Sequence, residues 1–250
     1  PLPYIFFLMK IENSFIHIPG IGEKTEKKYW KKGLTHWEHL KDSGSLSDNK
    51  KQHLEKAERN LEVENSLYFK QQLPSKSLWR IYENFAQKAC FFDIETTGLS
   101  AKRNKTTTVS FYRNGESKTL IRGQDLTRER LEEEFFKSKL LVSFNGKRFD
   151  APFLEENFNM NIETPHIDLM YPAKRTGLSG GLKKIEKDLQ IQRELEDIDG
   201  REAVKLWKKY EKNNNEEALQ KLVRYNQYDA ENLKELTEII VDKLDNEVFR

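Results

Sequence analysis

The chain has 250 residues, with 43 Lys and Arg against 41 Asp and Glu, a formal net charge of +2. Charged side chains make up 34% and apolar ones 36%, which excludes a membrane-embedded or collagen-like chain. A single cysteine, Cys90, excludes a disulfide scaffold and a Cys-rich zinc site, and makes a reducing cytoplasm the simplest home.

The balanced charge is unevenly distributed. Residues 1–88 carry 15 basic and 11 acidic side chains, and residues 89–250 carry 28 and 30. A mildly basic front is joined to a slightly acidic remainder.

Pro1 to Met9 is apolar throughout. It is too short for a spanning helix, which needs about 20 residues, and it lacks the basic region of a secretory signal. A buried N-terminal strand, or extra sequence ahead of a start at Met9, is expected. Pro19-Gly20-Ile21-Gly22 predicts a tight turn, because both glycines tolerate positive φ. A short helix over Lys24–Lys32 follows, stopped by Gly33, and Thr35 with Glu38 predicts a capping box for the next helix. Five lysines and one glutamate fall within Lys24–Lys32. This stretch resembles a helix-hairpin-helix motif, which implies that backbone amides at Gly20 and Gly22, with Lys24 and Lys27, meet a phosphate. The alternative is a helical turn with a solvated basic face.

Ser43 to Asn49 is a polar break, Lys50 to Gln72 reads as a charged helix, and Trp79 to Ala89 as another after Pro74. Residues 1–72 are thus a helical region, 73–89 a connector, and 90–250 a second unit. There the periodicity changes. Phe91–Thr97, Thr106–Tyr112 and Ser117–Ile121 read as strands, the last two joined by Arg113-Asn114-Gly115. A helix over Thr127–Lys137, a strand over Leu140–Phe144, a helix after Pro152, a short strand at Ile167–Met170 and C-terminal helices complete an α/β order.

Four acids occupy positions where acids are costly. Asp93 and Glu95 interrupt the apolar run F-F-D-I-E-T-T, and alternation puts both on one strand face. A like-charged pair at this spacing is unfavourable unless a cation sits between its members. Asp229 lies seven residues from Leu222 and from Leu236 on a core-facing helical stripe, with Tyr225 one turn earlier. Asp150 closes S-F-N-G-K-R-F-D ahead of a helix, where an N-cap is the simpler reading taken alone. Carboxylates without a His or Cys cluster suit Mg²⁺ or Mn²⁺, and two such ions clamp the attacking and leaving oxygens of a phosphoryl displacement. His166 and Asp168 share a strand face and read as structural. Trp30, Trp37, Trp79 and Trp207 read as core, and the Gly177–Gly181 stretch as a loop before a helix.

D-I-E-T-T-G-L at Asp93–Leu99, N-x-x-x-F-D at Asn145–Asp150 and Y-x-x-x-D at Tyr225–Asp229 resemble, in order, the motifs of the DEDDy branch of the RNase H-like (DnaQ-type) 3′–5′ exonucleases. The resemblance spans residues 90–245 and implies a mixed five-stranded RNase H-like sheet flanked by helices. By this resemblance Asp93, Glu95 and Asp229 hold one ion, Asp93 and Asp150 the second, and Tyr225 orients the attacking water. A phenol with a pKa of about 10 is a poor base, so the ions must supply the water's acidity. Thr96, Thr97, Leu99 and Asn145 would contact the terminal nucleotide. Tyr228 points about 100° away from Asp229 on the helix, which favours Tyr225 as the motif tyrosine. The implied activity is removal of nucleotides from a 3′ end, with single-stranded DNA as the favoured partner. An exoribonuclease, a structure-specific endonuclease and a non-catalytic binding module are the rivals.

Overall fold

The computed structural model describes residues 9–195 and 198–249, so the apolar segment before Met9 lies outside the described residues. Five strands form one mixed sheet: β1 (Ala89–Thr96), β2 (Thr106–Arg113), β3 (Glu116–Ile121), β4 (Leu140–Ser143) and β5 (His166–Asp168). Their order is β3-β2-β1-β4-β5, with β1, β2 and β3 an antiparallel meander and β4 and β5 parallel additions beside β1. The α/β class and the mixed five-stranded sheet match the sequence expectation, because the Arg113–Glu116 turn and the alternating apolar runs leave few other pairings.

Each face of β1 has its own core. Cys90, Phe92 and Ile94 pack with Val109, Phe111, Leu131, Phe135, Phe153 and Leu154, burying α6 (Arg128–Phe136) and α7 (Asp150–Phe158). On the other side Phe91, Val142 and Ile167 meet Leu233, Leu236 and Ile240 of α11 (Glu216–Val248). With 33 residues, α11 is about 50 Å long and packs against β1, β2, β3 and β4. The remaining C-terminal helices are α8 (Met170–Arg175), α9 (Leu182–Leu189) and α10 (Gly200–Asn213).

The N-terminal helices are α1 (Glu23–Lys31), α2 (Trp37–Asp42), α3 (Asp48–Glu62), α4 (Ser66–Gln72) and α5 (Tyr82–Phe85). Several expectations change here. His36, not Thr35, caps α2, accepting from the Glu38 amide. The predicted helix over Lys50–Gln72 is two, because Glu64 takes φ 51° and Asn65 caps a new start by accepting from Tyr68 N. The predicted helix over Trp79–Ala89 is a 3₁₀ stretch (Ser75–Ile81), the single turn α5 and a second 3₁₀ turn (Ala86–Lys88). Burial of Leu78, Trp79, Ile81, Tyr82 and Phe85 on all sides overrides a single helical stripe. α7 begins at Asp150 rather than after Pro152; Pro152 falls in its first turn, where a missing N–H costs nothing.

Met9, Ile11, Phe15, Trp37, Phe69 and Phe85 belong to the same apolar cluster as Leu236 and Leu244 of α11, so the limits at 72 and 89 fall inside a shared core. Its hub is polar. Arg80, 1% exposed, bonds both oxygens of Glu26, itself 0% exposed, at 2.8 Å, and Glu26 also accepts from Ser14 Oγ and Phe15 N. Removing one partner strands the other charge in the core. Glu26→Ala is therefore expected to lower unfolding free energy by about 3–5 kcal/mol, read as an earlier urea midpoint. A loss below about 1 kcal/mol would mean that the pair is not a structural hub.

Candidate active site

Alternation along β1 places Asp93 and Glu95 opposite Ser110 and Thr108 of β2, on the face that α11 crosses. Along α11, Leu222, Asn226, Asp229 and Leu233 follow at intervals of four, three and four, so one stripe delivers Asp229 to that face. Carboxylate oxygens of Asp93, Glu95 and Asp229 lie within 4.8 Å of one another. Tyr225 lies one turn before Asp229 on the same helix and lines the same cavity as Asp229. Tyr228 instead lies under Arg224, whose guanidinium carbon is 3.7 Å from the ring centroid. The three acids and Tyr225 line a cavity of about 870 Å³.

Asp150 reaches the same cavity from β4. It is the first residue of α7 rather than a plain cap, and its carboxylate accepts from Ile94 N of β1 at 3.2 Å. The loop that carries it is held from β5. Asp168 accepts from the amides of Asn145 at 2.7 Å, Lys147 at 3.1 Å and Met170 at 3.1 Å. His166 Nε2 pairs with Ser143 Oγ at 2.7 Å. Both residues have the structural role expected of them. Gly146 is required by contact: a Cβ there would sit 2.1 Å from Ser143 Oγ.

Two members of the site were missed by sequence reasoning. Asn226 is fully buried, donates to Asp93 Oδ2 at 2.8 Å and accepts from Thr108 Oγ1 at 2.8 Å, which fixes the rotamer of Asp93. Its place on the α11 stripe was legible as a second polar residue on an apolar face. Arg193 was not legible. It follows α9 in an aperiodic stretch, yet its guanidinium pairs with Asp229 and with Glu186 and lies 5.4 Å from the Tyr225 ring centroid. Lys183 stands over the same ring at 4.9 Å.

The remaining candidates divide. Thr96, Leu99 and Asn145 line the cavity, and Leu99 is 88% exposed at its rim. Thr97 does not line it. β1 is irregular between Glu95 and Thr96, and Thr97 turns back to accept from Lys105 N at 3.0 Å. Gly20, Gly22, Lys24 and Lys27 are also apart from the cavity lining. Gly20 has φ 78° as the turn requires, but a 3₁₀ turn (Ile11–Asn13) rather than an α-helix stands before it among the described residues.

Burial, reinforced by neighbouring acids, raises the pKa of Asp93, Glu95, Asp150 and Asp229. Asp93 and Glu95 are pushed well above the usual range by burial, then by Asp229 and Asp150, against the pull of Arg193. Burial lifts Asp150 to about 7 despite its bonds to the Asp150 and Ile94 amides. It lifts Asp229 to about 6, with Arg193 opposing and Glu186 reinforcing. Tyr225 is driven well above its ordinary value by burial and by Asp229, so its hydroxyl keeps its proton.

The sequence profile of the RNase H superfamily matches residues 90–241. The chain belongs to the RNase H superfamily. No curated protein matches it by sequence. Among solved structures, it is similar to Brucella melitensis NrnC bound to pGG, at 20% identity over 67% of this chain and 78% of that one, TM-score 0.47. NrnC with bound Mg²⁺ gives 20%, 67%, 79% and 0.49. A family B DNA polymerase from the archaeon Pyrobaculum calidifontis aligns at 16% identity over 61% of this chain and 24% of that one, TM-score 0.50, a likeness of fold.

In this RNase H domain the donor set fits a hard divalent cation. It is all oxygen, and the carboxylates of Asp93, Glu95 and Asp229 converge, with Arg193 paired to one of them.

Two outcomes follow from this electrostatics. Unfolded Asp ionises near 3.9, so each raised carboxyl of the metal-free fold keeps its proton at pH values where the unfolded chain has lost it, and that group's contribution to stability falls as pH rises from about 4 to 7. In chelator, Asp150→Asn should flatten that decline by roughly 1–3 kcal/mol, read by urea unfolding at pH 5 and pH 8. An unaltered pH dependence would contradict a raised Asp150 pKa. Asn226→Ala frees Asp93 and should weaken divalent-ion binding about 10- to 100-fold by calorimetry; unchanged affinity would remove Asn226 from the site.

Proposed function

We propose that this chain is a DEDDy-type 3′–5′ exonuclease that hydrolyses phosphodiester bonds with two divalent ions, Mg²⁺ or Mn²⁺, acting on single-stranded DNA. The observation that carries the reading is the convergence of Asp93, Glu95 and Asp229 within 4.8 Å beside Tyr225. Asp93, Glu95 and Asp229 would hold one ion, and Asp93 with Asp150 the other. Bound there, the ions would stabilise charge on the attacking and leaving oxygens of an in-line displacement.

The chain's own groups do the positioning. Asn226 holds Asp93 in one rotamer. The Asp168-pinned loop brings Asp150 to Ile94 N, tying the second motif to β1. Tyr225 keeps its proton, so it orients the attacking water as a donor or acceptor rather than removing its proton. Thr96, Leu99 and Asn145 offer contacts to the terminal nucleotide, with exposed Leu99 suited to pack on its base. A non-catalytic module has no use for carboxylates whose crowding costs stability.

The basic N-terminal segment, residues 1–72 with its helix-hairpin-helix-like turn, supplies further phosphate contacts at Gly20, Gly22, Lys24 and Lys27. Charge reversal tests this better than deletion, since Arg80 and Glu26 bind the segment into the shared core. Lys24→Glu with Lys27→Glu should reduce the salt slope of strand binding by about 1–2; an unchanged slope would leave the lysines as a solvated face.

Product analysis on 5′-labelled single-stranded DNA and RNA with Mg²⁺ or Mn²⁺ decides the activity. A ladder shortening from the 3′ end, abolished by EDTA and reduced at least about a hundredfold by Asp93→Ala or Asp229→Ala, is the expected result. Cleavage that survives EDTA would overturn the two-ion reading, and a ladder on RNA alone would reassign the substrate.

A further inference from the structure

The cavity that holds the carboxylates is lined by more than the acidic cluster. α10 contributes Gly200, Arg201, Val204, Lys205 and Lys208 to it. Arg201, Lys205 and Lys208 follow at intervals of four and three, so they form one stripe, and all three are exposed. The opposite face of α10 fixes the direction of that stripe. Ala203, Leu206 and Trp207 are buried with Leu219, Leu222 and Tyr225 of α11. The helix that presents the cations is thus packed against the residue that faces the reaction centre.

Along α10 and beside it, the cations Arg201, Lys205, Lys208 and Lys183 outnumber the acids Asp199 and Glu202. Asp199 is spent on the α10 amides of Arg201 and Glu202, both at 2.9 Å. Glu202 pairs with Lys205 at 2.9 Å through an exposed contact of little energetic weight. Arg201 and Lys208 add two further positive charges, and Lys183 a third beside Tyr225. Seven residues of α10 separate Arg201 from Lys208, a rise of about 10 Å. That length, extended by the reach of the Arg and Lys side chains, is enough to meet about two to three successive phosphates of one strand.

We infer that the Arg201–Lys205–Lys208 stripe of α10 binds the phosphodiester backbone of the strand on the 5′ side of the scissile bond, so that this site takes oligonucleotides several residues long in preference to dinucleotides. This rests on the 3′–5′ exonuclease reading above. A dinucleotide at the carboxylates leaves most of the stripe without a phosphate. Each added nucleotide engages another cation until the stripe is filled. Binding should therefore strengthen over the first few nucleotides and then level off.

The test uses the full-length chain with Arg201→Gln, Lys205→Gln and Lys208→Gln together. All three side chains are exposed, so the fold should persist, with circular dichroism as the check. Affinity for a fluorescein-labelled thymidine decamer, and for unlabelled thymidine dinucleotide by displacement, is measured with Ca²⁺ over a salt series. The expected result is a decamer Kd raised at least tenfold, a salt slope smaller by about 2, and a dinucleotide affinity changed at least threefold less than the decamer's. Equal weakening of both ligands, or an unchanged salt slope, overturns the inference. Failure of the wild-type chain to shorten the decamer from its 3′ end in Mg²⁺ overturns the exonuclease reading and this inference together. Normal shortening with a variant that binds as the wild type does overturns this inference alone.

Discussion

The crowding of four carboxylates at one cavity is the constraint around which this structure is arranged. β1 brings Asp93 and Glu95 to one face, α11 lays Asp229 across them, and α7 begins with Asp150 at the same cavity. Burial raises the pKa of Asp93 and Glu95, and Asp229 and Asp150 raise both further. The surroundings do not relieve the repulsion; they hold it in place. Asn226 fixes one acid, the Ile94 amide another, and Arg193 pairs with a third. A site that keeps its charges crowded without full compensation is ready for cations.

The second motif depends on a residue outside any motif. Asp168 takes three backbone amides and so freezes the loop that ends at Asp150. Gly146 permits the tight passage beside Ser143, which is itself held by His166. The placement of Asp150 therefore rests on β5, the last and shortest strand of the sheet. In the same way the placement of α10 rests on Trp207 and Leu206 packed against α11, not on its charged face.

Much of this was legible beforehand for a definite reason. A carboxylate inside an apolar period is an energetic anomaly, and anomalies survive any uncertainty about boundaries. Asp93, Glu95 and Asp229 were visible on that ground, and Tyr225 followed from the helical turn. The strand meander was visible because a Asn-Gly turn between alternating runs permits one pairing. What went astray had no periodic signature. The region from Ser75 to Lys88 is buried all round and adopts short 3₁₀ pieces in place of one helix. Thr97 sits one residue past the strand irregularity and turns away from the cavity.

The α/β class, the pairing of β1 to β3, and the identity of the acids that must meet something positive all follow from local residue order. Those conclusions depend on local spacing and on the cost of burying charge, both written in the order of residues. Tertiary structure alone decided that Arg193 answers Asp229, that Asp168 governs Asp150, and that the basic face of α10 looks into the carboxylate cavity. It also merged the basic front into the core through Arg80 and Glu26, 54 residues apart. Such contacts join groups distant in the chain, and no local pattern records a partner that only packing brings near.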